Sequence, residues 1–477
     1  MNKGIKYILI ALLAAVVAGV GIYFVKQKGS DAYLNALPKQ ATALARMDVR
    51  QLLKDADLSA EEINTLTEQL GTTSSQMSSM GIDLAKPAYG FVSPSGYFGM
   101  LCKVSQEDDL MQFLATSRTG HTITAIQQQR GYSWAVIDGN YLVAFGDGKL
   151  LGMGPAVGAA QDQLRNEMYR YLEQDKKESG VASALYERLR GMDDALAAVL
   201  TMGILPEAVG KAMSGYIPAS ATKDAVLALT AQVEPHAAHL RTELFADNKE
   251  AKQYMEQFEE VFNTIDGSLL AQTQDNTALW LCANIEGDEV LKMLRKVPAI
   301  RTVLMALNFV FDADQMLKAI DGDVAVELAG MSGALSRTDK PLQLTAELDN
   351  TDFLKNTDYW LRSGHSQITA LSPTSFAIKA AGQQFTFGVA DKCLYVTTNN
   401  AMRQCAGNAY LQQHKSDIRG LRFYATADMQ QLAATEPALA TAARHIQRVN
   451  LSMKQMGQFQ LDLLGTADGN LLLNLLQ

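Results

Sequence analysis

The stretch GMLCKVSQEDDLMQFLAT, Gly99–Thr116, decides how the whole chain is read, because its plan returns five more times. Met100, Cys102 and Val104 alternate as the inward residues of a strand do, and a helix-period run follows the three acids Glu107, Asp108 and Asp109. Those acids could open an acid/base site or a helix. The same order of strand, polar corner and helical run starts at Ala43, Leu240, Leu279, Leu342 and Arg422. Asp48, Ser105, Asp247, Asp349 and Asp428 stand where an N-cap is needed. A carboxylate or hydroxyl there accepts from orphan backbone N–H groups and meets the positive end of the helix dipole. Ser105 with Asp108 also fits the capping-box spacing. Six non-identical copies of one catalytic site would be odd, whereas six helix starts are not, so the acids read as scaffolding.

Longer correspondences point to a duplication. Ile123-Thr124-Ala125-Ile126 matches Ile368-Thr369-Ala370-Leu371, and Ser133-Trp134-Ala135-Val136 matches Ser375-Phe376-Ala377-Ile378 at nearly the same offset. Between the copies, Leu185, Leu189, Met192, Leu196, Val199 and Leu200 keep helical spacing. AVLALTAQVEPHAAHLRTELFADN reads as a hairpin turning near Glu234, and the chain closes in what reads as a second hairpin around Asp468-Gly469-Asn470. The expected fold class is α+β. An N-terminal transmembrane helix with its flanks (1–30) precedes a first antiparallel sheet-plus-helix lobe (31–157), a helical insert (158–222) and a related second lobe (223–477) holding the second copy.

The apolar run Tyr7–Val25 follows Lys3 and Lys6 and would span roughly 29 Å as a helix, enough to cross a hydrocarbon core. An uncleaved signal-anchor in the inner membrane, with the bulk of the chain in the periplasm, is the expectation; a signal cleaved after Ala18 is the alternative. The chain has 477 residues, 48% apolar and 19% charged, so it can bury a full core. A net charge of −9 without any Lys/Arg run argues against nucleic acid as a partner. Four scattered cysteines make no disulfide framework; Cys102 and Cys282 read as small buried apolar residues, and Cys393 with Cys405 could form at most one bridge.

Chemistry-bearing motifs are scarce. His236 and His239 fall in a turn and offer too few ligands for a metal, and no cofactor is expected. FGDGKLLGMGP lacks both Walker and Rossmann spacing and reads as a hairpin. Trp134, Trp280 and Trp360 read as core. Met168, Met192, Met202 and Met213 are the candidate binding face, for a peptide or lipid-like ligand, against the alternative that they pack inward.

YLNALPKQATALARMDVRQLLKDADLS, with GIDLAKPAYGF and AIDGDVAVEL further on, resembles the domain of unknown function 4836 family of Bacteroidetes envelope proteins, over nearly all of the chain after residue 32. The resemblance implies an envelope setting and carries no activity or site residues. Many members look like lipoproteins, and here no cysteine follows the apolar run. Two functions follow as expectations. One is a membrane-tethered, non-catalytic binding or scaffold module with an envelope protein, peptide or lipid-like partner. The other is an envelope hydrolase whose residues converge only in space.

Overall fold

The computed structural model describes residues 31–69, 80–116, 122–204, 225–246, 248–308, 312–330, 341–363, 368–380, 383–403, 405 and 407–476. Each of the six repeated segments is a strand that runs directly into a helix or a 3-10 turn. Two compact units divide the chain: one takes the described residues within Met1–Leu205, Val226–Leu240 and Gly469–Gln477, the other those within Pro206–Ala225 and Arg241–Asp468.

The first unit contains β1 (Ala43–Met47), β2 (Ala88–Val92), β3 (Phe98–Lys103), β4 (Gln127–Gln129), β5 (Tyr132–Ile137), β6 (Tyr141–Gly146), β7 (Lys149–Gly154), β8 (Leu196–Thr201) and β9 (Val226–Glu234). Its antiparallel pairings give the order β4-β5-β6-β7-β3-β2-β1-β8-β9. After β10 (Ala237–Phe245) and β11 (Phe262–Asn263) come β12 (Thr277–Glu286), β13 (Ile320–Ala329), β14 (Leu342–Leu348), β15 (Ile368–Ser372), β16 (Ser375–Ala380), β17 (Gln383–Ala390), β18 (Cys393–Thr397), β19 (Phe423–Asp428), β20 (Ile446–Gln455) and β21 (Gln458–Gly465). Within the second unit the order is β15-β16-β17-β18-β14-β13-β12-β19-β20-β21. Position for position, β4 to β9 of the first order repeats as β15 to β20 of the second.

The fold class expected from the sequence is corrected in three respects. Among the described residues each unit is an antiparallel strand ladder with helices, and no insert stands between two lobes: the described residues of the expected insert, 158–204, belong to the first unit. The supposed helical insert does hold the helices Ala159–Glu173 and Ala184–Arg190, but it also holds β8, whose Leu196–Thr201 pairs with β1 on one side and β9 on the other. Ala197 and Val199 alternate inward there; a short apolar run satisfies helical and strand spacing alike, and the open edge of β1 decides the outcome. Third, the membrane helix and the single-pass inner-membrane placement are not supported. Among the described residues no helix is long and apolar enough to cross a membrane. The longest described helix, Ala159–Glu173, has 15 residues, which is ~22 Å against the ~30 Å of a hydrocarbon core. The segment Tyr7–Val25 itself lies outside the described residues.

Local chemistry accounts for the helix starts only in part. Asp48 accepts from the Gln51 N–H at 2.9 Å and Asp428 from those of Gln430 and Gln431, as capping requires. Ser105 does not cap; its hydroxyl donates to the Gly81 carbonyl at 3.1 Å, and Glu107 accepts from the Gly148 N–H. Asp349 is exposed and its amide pairs with Ala319, while Asn248 takes the cap near Asp247, a residue outside the described set. The true capping box is Ser59 with Glu62. At the C-terminus β21 is followed by a helix, Leu471–Leu476, in place of the expected hairpin, because Asn470 accepts from the Leu472 N–H and donates to Ala56.

The second unit buries both faces of its sheet. One face carries Phe353, Trp360, Phe376 and Phe387, with Trp360 5.6 Å from Phe376 between ring centres. The other carries Trp280, Cys282, Ala325 and Cys393 under Ile265, Leu269, Leu270, Leu411 and Ile418. All four cysteines are free thiols.

Candidate functional site

On the second of those faces, strand register brings charge into the core. β12 pairs with β13 so that Trp280 faces Glu327, Cys282 faces Ala325 and Asn284 faces Asp323. The next ladder, β13 with β14, is irregular between Ile320 and Val324. Gly322 sits in that irregularity at φ +133°, where an added Cβ would lie 2.5 Å from Glu347 Oε2. Only glycine lets the Glu347 carboxylate come so close to the strand. The result is a cluster of Asp266, Asp323 and Glu347, with one oxygen of each within 4.8 Å of the others.

Every member already accepts hydrogen bonds. Asp323 is wholly buried; its Oδ1 accepts from Asn284 Nδ2 at 2.9 Å and from the Asp266 N–H at 3.2 Å, and its Oδ2 from the Gly267 N–H at 2.8 Å. Glu347 Oε2 accepts from the Asp323 N–H at 2.7 Å, and Oε1 from the Ser268 hydroxyl. Asp266 Oδ1 accepts from the Ser268 N–H at 2.7 Å. Two pairs further along β13, Glu327 accepts from Thr277 Oγ1 at 2.5 Å and the Gln274 N–H at 2.8 Å. The carboxylates therefore pin residues 265–274, which cross this face, to the strands beneath.

The environments push the acids apart. Burial raises Asp323 to about 6 against the hydrogen bonds it accepts. Burial would also raise Asp266, but hydrogen bonds from Ser268 and from the Asp323 carboxyl, with the charge of Arg419, outweigh it and leave that carboxyl below its ordinary value. Burial lifts Glu327 as well. Three hard oxygen donors are the kind that Ca²⁺ or Mg²⁺ takes. In this cluster both oxygens of Asp323 and both of Glu347 are occupied by fixed N–H and O–H donors, and Oδ1 of Asp266 by the Ser268 N–H. An open depression lined by Ala433, Ala440, Ala443, Arg444 and Thr466 shares no residue with it.

The residues singled out from the sequence lie elsewhere. Met168 and Met202 are buried, Met192 is half-buried with its carbonyl accepting from Arg46, and Met213 is outside the described residues. Buried methionines offer no contact surface. Glu107, Asp108 and Asp109 begin the helix Glu107–Thr116, and Trp280 and Trp360 are core. The carboxylate cluster went unnoticed although IDGDVAVEL carries its signal: a glycine inside a strand pattern, with acids at Asp323 and Glu327 sharing the parity of Ala325.

A family model described as a domain of unknown function, DUF4836, matches residues 33–432. None of the curated proteins matches the chain. Among solved structures, those titled "Structure of crystal form III of TP0453" and "Structure of crystal form I of TP0453" are similar at 11% identity, each covering 50% of this chain and 89% of its own, with TM-scores of 0.29 and 0.28. A likeness of that size carries no argument.

Proposed function

Starting from a chain that belongs to the DUF4836 family, we propose that it is a non-catalytic binding or scaffold module. The observation behind this reading is the occupancy of Asp323: two backbone N–H groups and the Asn284 amide take both of its oxygens. A general acid or base needs an oxygen within reach of a substrate proton. Asp323 has none to spare and no exposed surface. The strongest acid/base chemistry among the described residues is thus spent on holding a segment to the sheet, which suits a rigid platform that presents surfaces.

One observation favours a hydrolase as a second reading. Asp266 and Asp323 are neighbouring carboxyls with displaced pKa values, one lowered and one raised to about 6, the pattern of a working acid and base. A panel of esterase, glycosidase and peptidase substrates, run on the native chain, Asp266→Asn and Asp323→Asn, separates the two. The binding reading expects no turnover that depends on either residue. Turnover lost in both variants at unchanged melting temperature would establish the hydrolase.

A further inference from the structure

In the second unit, the helix Pro298–Asn308 (PAIRTVLMALN) has one charged residue and stands largely in water. Leu304 is its buried anchor, whereas Val303, Met305 and Leu307 are 57%, 58% and 40% exposed. At about 100° per residue, Thr302 and Ala306 crown the outward side, Val303 and Leu307 flank it on one side, and Arg301 and Met305 on the other. A helix apolar nearly all round is ordinarily covered. Among the described residues this one is exposed on three sides, as a ridge.

Charge says what covers it. Between Gly287 and Lys318 the exposed charged residues are all cations, Lys292, Arg295, Lys296, Arg301 and Lys318, in a chain of net charge −9. The acids of the same stretch, Asp288, Glu289, Asp312 and Asp314, are only half exposed, and Asp288, Glu289 and Asp314 are tied up by Lys292, Lys318 and Arg295. Arg301, on the ridge, and Lys296, which closes the preceding helix and donates only to Gln257 Oε1, make no ion pair among the described residues, so two basic heads accompany the apolar side chains.

We propose that this ridge docks peripherally on an anionic lipid surface, with Val303, Met305 and Leu307 entering the acyl boundary and Arg301 and Lys296 meeting the headgroups. The proposal rests on the binding reading and names its partner. A fluid interface covers three sides of a ridge at once, where a folded partner would need a matching groove. Apolar burial combined with basic flanks is the physical recipe for interfacial binding.

The test is local hydrogen exchange of the full chain with phosphatidylcholine vesicles, with and without phosphatidylglycerol. Reading residues 298–308 alone removes any contribution of the N-terminal apolar segment, which is common to every variant. Amides there should slow only when phosphatidylglycerol is present. Met305→Asp with Leu307→Asp should weaken vesicle binding at least about tenfold, and Arg301→Glu should abolish the phosphatidylglycerol dependence, with melting temperatures unchanged since these side chains are exposed. Unchanged exchange on vesicles overturns the proposal. So does slowing that follows protein concentration without lipid, the mark of a second copy, or slowing by an acidic peptide and not by vesicles. Carboxylate-dependent turnover would sink the binding reading by itself, whatever the vesicles do.

Discussion

Asp323→Asn isolates what one buried carboxylate does for the fold, and its effect has a sign that depends on pH. Asp323 stands at about 6 in the folded chain against an ordinary 3.8. The folded chain therefore holds the proton more tightly between those values. Stability from this group is fully present below about 3.8 and is lost as pH rises through about 6. The shift sets a ceiling of ~3 kcal/mol, of which ~1.4 kcal/mol is recovered on going from pH 7.5 to pH 5. Asparagine cannot titrate, so that recovery vanishes. It also turns an N–H toward one of three fixed donors, Asn284 Nδ2, Asp266 N–H or Gly267 N–H, at a cost of ~1–3 kcal/mol that does not vary with pH. The two effects nearly cancel at pH 7.5, leaving the variant within ~2 kcal/mol of the native chain. Urea unfolding followed by tryptophan fluorescence at pH 7.5, 6 and 5 should show the native chain gaining on the variant by ~1.4 kcal/mol as pH falls. Glu327 and Glu286, also raised, titrate in both chains and drop out of the difference. Asp266, held low, acts with the opposite sign and only below about 4. Parallel pH slopes in the two chains would refute the reasoning.

Three further outcomes are expected. Asp48→Ala should lower stability by about 1 kcal/mol in calorimetry through loss of its cap, whereas exposed, uncapping Asp349→Ala should change it by less than about 0.5 kcal/mol. Gly322→Ala should cost more than about 2 kcal/mol in urea melts, since its φ of +133° and the Cβ position 2.5 Å from Glu347 Oε2 strain backbone and cluster together. Trp360→Ala should cost ~3–5 kcal/mol, read as a shifted urea midpoint, because the fully buried ring packs on Phe353, Phe376 and Phe387.

What the sequence disclosed was local. Asp48 and Asp428 are legible as caps because an N-cap needs only its own helix start. The turns Asp138-Gly139 and Asp147-Gly148 are legible because both residues of each adopt positive φ, which Asp-Gly tolerates. Ser105 defeated the same logic, since the Gly81 carbonyl, distant in sequence, takes its hydroxyl. β8 was hidden by an apolar run that fits either period until β1 offers it an edge. The carboxylate cluster was hidden for another reason. Asp323 and Glu327 alternate with Val324, Val326 and Leu328, which reads as a polar outer face, and only the crossing of residues 265–274 turns that face into a second core.

The amides of that crossing test the central claim, that the buried acids are committed to structure, most directly. In residue-resolved hydrogen exchange, the N–H groups of Asp266, Gly267 and Gln274 should be protected in the native chain, because Asp323 holds the first two and Glu327 the third. Asp323→Asn should speed exchange at Asp266 and Gly267 and leave Gln274 slow. Rapid exchange at all three amides in the native chain would mean that the carboxylates are free for chemistry, and would contradict the account.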